Sequence, residues 1–174
     1  MAYTKIHAVK ATVHKAIAYI CNPDKTDGSL LISSYGCSPE TAHFDFKFAL
    51  SKTSHNDENK AYHLIQSFLS GEVDFDTAHQ IGMELADKVL EGKYSYVVST
   101  HIDRDHIHNH IIFYAADNID HHKYNDCKRS YYRIRHLSDE LCREHHLSVI
   151  VPDGQREKST TNGLQTNTAI PANQ

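Results

Sequence analysis

Residues 100–113, T-H-I-D-R-D-H-I-H-N-H-I-I-F, constrain the fold more than any other part of this chain. Side chains two apart on a strand share a face, so His106, His108 and His110 point one way. Ile107, Ile111 and Phe113 point the other way, in an apolar row that Asn109 interrupts. The polar turn Asp103-Arg104-Asp105 joins this strand (107–114) to a preceding one (94–101), and the hairpin brings His101 beside the row. Geometry limits what one metal ion can use. His106 and His110 stand about 13 Å apart along a strand, too far for an ion with ligands at ~2.0–2.1 Å to hold both. A feasible site takes 106/108 or 108/110, plus His101 from across the turn, and residue arithmetic leaves both pairs open. Three imidazoles with open positions suit a Lewis acid. Asp103 is then the expected outer partner, accepting the free ring N–H of one ligand. A solvated strand face without metal is the bland alternative. Four histidines within ten residues, three on one face, weigh against it.

The rest of the chain supplies further strands and helices. Residues 3–11 alternate partly and 61–69 fully, as strands do. Residues 13–21 form a short helical run stopped by Asn22-Pro23, because proline disfavours helix in the residue before it. The clearest helix is 77–90, where Ala78, Ile81, Gly82, Leu85, Ala86 and Val89 repeat; Asp76 is the expected N-cap and Gly92 follows the end. A second helix spans 130–145, with Ile134, Leu137 and Leu141 inward. Residues 24–38 read as a loop containing a short strand at 30–33, and 51–60 as a polar loop; 42–50 fits helix and strand alike. From Pro152 the sequence is polar and aperiodic, as in a mobile tail or the start of a linker. The expected fold class is α+β. It is a two-layer sandwich over 1–151, a central antiparallel sheet with helices packed on one face, followed by a tail at 152–174.

Composition excludes some functions and permits others. With 174 residues, 40% hydrophobic and 23% charged, the chain can bury a full core. No apolar run approaches the ~20 residues of a membrane span, and no signal peptide is indicated, so a cytoplasmic protein is expected. Cys21, Cys37, Cys127 and Cys142 form no CxxC pair and read as reduced thiols. A net charge of -4 argues at first against nucleic acid, but the charge is unevenly spread. Residues 1–26 hold four lysines against one aspartate, 123–135 hold five basic residues against one aspartate, and 55–91 hold eight acids against two lysines. A local basic face binds phosphate whatever the total. The second basic stretch interleaves Arg129, Arg133 and Arg135 with Tyr124, Tyr131 and Tyr132, the pattern of a single-strand groove; an ordinary charged helix face is the alternative.

A metal with three neutral ligands still needs a nucleophile, either water or a side chain. Tyr19 ends the first helical run between Lys15 and Lys25, whose charges favour the phenolate and would hold a phosphate. By itself such a tyrosine is more often an ordinary aromatic. The combination is more specific. Residues 16–26 (A-I-A-Y-I-C-N-P-D-K-T), 61–72 (A-Y-H-L-I-Q-S-F-L-S-G-E) and 100–113, with a weaker match at 135–150, resemble the VirD2-like relaxases, or mobilisation nucleases, of the HUH endonuclease superfamily. The resemblance implies that Tyr19 is the nucleophile, that His101, His108 and His110 bind a divalent metal (Mn²⁺ or Mg²⁺, with Zn²⁺, Ni²⁺ or Co²⁺ as others), and that Asp103 orients a histidine or the nucleophile. It implies that His63 and Ser67 contact the DNA backbone near the cleaved bond. One departure is visible: Tyr114 stands where the family often has asparagine. The implied activity is that of a bacterial conjugative relaxase. It would nick single-stranded DNA at an origin-of-transfer hairpin through a 5′ phosphotyrosine, with accessory relaxosome proteins and a coupling protein as partners. A rolling-circle initiator or transposase of the same superfamily, a non-catalytic metal-containing DNA-binding protein and a water-using metal hydrolase are the alternatives.

Overall fold

The computed structural model describes residues 2–52 and 58–150. Five strands, β1 (Tyr3–Val9), β2 (Ile32–Tyr35), β3 (Ala61–Ser67), β4 (Tyr96–His101) and β5 (His108–Tyr114), form one sheet in the order β1-β3-β5-β4-β2. Every neighbouring pair is antiparallel. Four helices accompany it: α1 (Val13–Ile20), α2 (Ala42–Leu50), α3 (Phe75–Leu90) and α4 (Lys128–Glu144). The α+β class and the central antiparallel sheet are as the sequence predicts. The helices, however, cover both faces instead of one.

β5 explains why. Its odd side chains Ile111 and Phe113 pack with Ile81 and Leu85 of α3 and Ile134 and Leu141 of α4. Its even side chains Ile112 and Tyr114 pack with Ile17 and Ile20 of α1 and Ala42 and Phe46 of α2. A strand apolar on both sides needs cover on both. We call the α1/α2 side, which also carries His108 and His110, the front, and the α3/α4 side the back. β1 at the sheet edge behaves differently. Ala2, Ile6 and Ala8 pack on the back, while Tyr3, Lys5 and His7 stay exposed on the front.

Local differences from the sequence reading have local causes. α3 starts two residues early because Asp74, not Asp76, is the cap: its carboxylate accepts from the Thr77 N–H at 2.9 Å. The alternating run F-D-F-K-F fits both periods, and helix prevails because Ala42 and Phe46, one turn apart, reach the core. That leaves Phe44 and Phe48 exposed. Tyr114 is buried against Phe46 on the front, so its ring is a core element. Among the described residues no helix is long and apolar enough to cross a membrane. The tail expected at 152–174, and the boundary at 151, lie outside the described residues.

Candidate active site

The site is built where β4 ends and β5 begins. His101 pairs directly with His108 across the ladder, and His110 pairs with Ser99 one step further in. One nitrogen from each of His101, His108 and His110 lies within 4.8 Å of the others. All three rings are buried, which holds their pKa values below the ordinary histidine value; His110 is pushed down to about 2. They are therefore neutral, with lone pairs free to bind a cation. His106 is not in the trio.

Hydrogen bonds decide which nitrogens face the centre. His101 donates through Nε2 to the Ile20 carbonyl (3.0 Å), leaving Nδ1 buried without a partner. His108 donates through Nδ1 to the His106 carbonyl (3.2 Å). His110 Nδ1 meets His63 Nε2 at 2.8 Å, leaving His110 Nε2 buried without a partner. Orphaned buried nitrogens are rare and costly. Two of them in a neutral histidine cluster match the donor set of a borderline transition metal. The residues fit a divalent ion.

Two of the expected site residues make other contacts than a ligand ring N–H or an open phosphate position. Asp103 does not orient a ligand ring, because the end of α1, the His106 carbonyl and His63 occupy those positions. Instead Asp103 pairs with Lys25, whose ammonium holds the carboxyl below the usual carboxylate range. His63 does not present its Nε2 to the outside. It is buried, its pKa pushed down to about 4 by that burial, and it steadies His110 from β3, with the His7 ring 4.8 Å beyond. Ser67 sits half-buried at the end of β3, opposite His108 on the same face.

Tyr19 closes the site from above. Its ring lies 5.5 Å from His101 and 5.8 Å from His110, both edge-on, and remains 46% exposed. Lys25 reaches over it, 5.3 Å from the ring centre. The Ile102 N–H donates to the Lys25 carbonyl at 2.9 Å, so the loop after α1 is clipped to the hairpin turn. Lys15 is exposed one turn before Tyr19 on α1. The α4 arginines are placed elsewhere. Arg133 spends its guanidinium on the Lys88 and Val89 carbonyls at the end of α3 and on Glu91, behind the sheet. Arg129 rides on the same helix, and Arg135 reaches the outer edge of β1, lining a small cleft with Tyr3 and Tyr131. The sequence reading set α4 beside the strand path because a basic, tyrosine-rich helix looks alike on either face.

Comparison with known proteins bears on the same residues. The family model described as Relaxase: MobA/VirD2-like, nuclease domain matches residues 19–147, from the tyrosine past the last strand. The chain belongs to the MobA/VirD2-like relaxases. A relaxase relative, Protein rlx of Staphylococcus aureus, is 34% identical over 86% of this chain and 43% of its own length. The group II intron-interrupted relaxase LtrB of Lactococcus lactis subsp. cremoris is 31% identical over 57% of this chain and 22% of its own. The chain thus spans less than half the length of these relatives. A solved structure described as the molecular basis of vancomycin resistance transfer in Staphylococcus aureus shares the fold. Its TM-score is 0.59 and its identity 11%, over 87% of this chain and 97% of that one.

The sequence reading missed a buried polar chain behind the sheet. Asn109, seen only as an interruption, is fully buried; it donates to the Ala78 carbonyl at 2.7 Å and to Gln66 Oε1 at 3.0 Å. Thr100 donates to its Oδ1 at 2.7 Å, His79 Nδ1 meets Thr100 at 2.8 Å, and Ser33 meets His79 Nε2 at 2.9 Å. Gln66 donates to Ser138 at 2.8 Å. The available signal was two amides, Gln66 and Asn109, each breaking a strand's apolar face.

Proposed function

We propose that this chain is the nicking domain of a conjugative relaxase. It cuts one DNA strand at an origin of transfer and keeps the 5′ end as a phosphotyrosine on Tyr19. The observation that carries this reading is the half-exposed Tyr19 ring, 5.5 Å and 5.8 Å from two histidines whose inner nitrogens are orphaned. His101, His108 and His110 would hold a divalent ion, with Mn²⁺ or Mg²⁺ as the proposed metal and imidazole ligation also suiting Zn²⁺, Ni²⁺ or Co²⁺. Bound there, the ion supplies Lewis acidity that draws charge from the scissile phosphate. The reaction requires the strand to lie so that the Tyr19 oxygen attacks in line with the leaving 3′ oxygen. The Tyr19 oxygen forms a bond to phosphorus as the bond to the 3′ oxygen breaks; the tyrosine loses a proton and the 3′ oxygen gains one. Lys25, fixed by Asp103, holds its ammonium over the Tyr19 ring, and Lys15 and Ser67 take flanking phosphates. His63 acts as a positioning residue for His110. The transfer-origin hairpin, accessory relaxosome proteins and a coupling protein are the proposed partners, and the bacterial cytoplasm the proposed compartment.

The test incubates the protein with single-stranded oligonucleotides tiling its element's transfer origin, with Mn²⁺, and looks for a covalent adduct on denaturing gels. An adduct that disappears in Tyr19→Phe is expected. Cleavage without adduct that persists in Tyr19→Phe would replace this reading with a water-using hydrolase.

A further inference from the structure

The front of the sheet is only half covered. α1 and α2 roof β4 and β5 and reach β1 only at Val9, leaving its front uncovered at Tyr3, Lys5 and His7. There Tyr3, Lys5 and His7 are exposed in a row, Tyr3 to 58%. The ladder ties that row to the site rung by rung. Tyr3 pairs with Ser67, which pairs with His108; Lys5 pairs with Ile65, which pairs with His110; His7 pairs with His63. Partners across a ladder share a face, so these side chains continue the plane that holds the metal ligands.

We infer that the Tyr3-Lys5-His7 face is the track on which single-stranded DNA leaves the scissile phosphate. This rests on the relaxase reading and names where its substrate lies. Two ladder steps of about 4.8 Å separate Lys5 from His110, so an extended lysine reaches a phosphate one nucleotide from the bond being cut. Residues two apart on a strand repeat at about 6.6 Å, close to the spacing of an extended nucleotide chain. Aromatic, cationic and imidazole groups at that repeat offer each base a flat surface and each phosphate a donor. The opposite side of the same strand, Thr4, Ile6 and Ala8, is buried or packed on the back core, so the row Tyr3, Lys5 and His7 is the strand's open side. At the outer edge Arg135 shares a cleft with Tyr3, giving a departing strand a further cation.

The experiment measures fluorescence anisotropy of labelled oligothymidylate, twenty nucleotides long, against the whole chain over a range of salt. Tyr3→Ala should weaken binding roughly 5- to 100-fold, the range for one lost stacking platform. Lys5→Gln should weaken it and flatten the log–log salt slope by about 0.7, the share of one phosphate contact on a single strand; Lys5→Arg should restore both. Lys88→Gln, behind the sheet, should change neither. Both residues are exposed, so thermal melts should match wild type. Wild-type affinity and slope in both Tyr3→Ala and Lys5→Gln would overturn the inference and leave the nicking reading standing. So would an equal slope change in Lys88→Gln, which would mark a diffuse field. A wild-type protein that binds no oligothymidylate would remove the single-strand substrate and the track together.

Discussion

The two faces of β5 hold polar side chains under opposite conditions. On the back, Ser33, His79, Thr100, Asn109, Gln66 and Ser138 form one chain of hydrogen bonds. A single arrangement of hydrogens satisfies every link: each hydroxyl, imidazole or amide donates to the next, with His79 neutral. On the front, one residue away in either direction, His101 Nδ1 and His110 Nε2 are buried with nothing to bond. The back spends its polar groups on structure and the front holds them in reserve. Because Thr100 pairs with Asn109 between the rungs His101–His108 and Ser99–His110, the satisfied side fixes the register on which the unsatisfied side depends. A slip of one residue would turn every ligand to the wrong face.

The sharpest way to break this comparison is to remove a front-face ligand. His101→Ala should cost on the order of 1000-fold in Mn²⁺ affinity by calorimetry, since even outer partners of metal ligands cost about 10- to 100-fold. Its metal-free melting temperature should fall only slightly, because the orphaned buried nitrogen that is removed offsets part of the lost Ile20 hydrogen bond and the cavity left behind. A large fall in metal-free stability would mean that the front histidines are structural after all.

Asn109→Leu probes the back. It strands Gln66 Oε1 and the Thr100 hydroxyl proton, and should lower unfolding free energy by about 3 kcal/mol in urea titrations. Gly82 belongs to the same design, since a Cβ there would come within 2.7 Å of the Asn109 amide. Unchanged stability in Asn109→Leu would show that the buried chain contributes nothing.

Acid tests both faces at once. His63, His79, His101, His108 and His110 all have lowered pKa values from burial. The unfolded chain takes up protons near pH 6.5 and the folded chain only well below, so unfolding binds protons in between. Stability of the metal-free protein is therefore full above pH 6.5 and falls as pH drops, for His63 down to about 4. His63 and His110 alone should cost roughly 2 kcal/mol between pH 6.5 and 5.5. A flat stability profile across that interval would mean these rings are already accessible to protons in the folded state.

Much of this was legible in the sequence, and what was not follows a physical pattern. Period-two alternation located β1, β3 and β5, and histidines on every second residue located the front-face cluster. Tyr19 reads as a nucleophile only through the family resemblance, because one tyrosine at a helix end carries no chemistry by spacing. The cover on both faces was missed because Ile112 and Tyr114 were not weighed as a second apolar row. The outer partners of the ligands were missed for a different reason. His63 and the Ile20 carbonyl lie 47 and 81 residues from the rings they hold, and no local pattern encodes such pairings.

The α4 arginines give the smallest and most discriminating effect. A basic helix with interleaved tyrosines reads as a nucleic-acid surface, yet Arg133 caps α3 by donating to two of its last carbonyls, where cations suit the helix dipole. Its side chain is 46% exposed, so solvent screening discounts the Glu91 pair. Arg133→Gln should therefore lower stability by less than about 1 kcal/mol and leave the salt slope of oligothymidylate binding unchanged. If the slope instead fell by about 0.7, with stability intact, the cap would be incidental. The back of the sheet would then bind DNA as well, and the division of labour between the two faces would not hold.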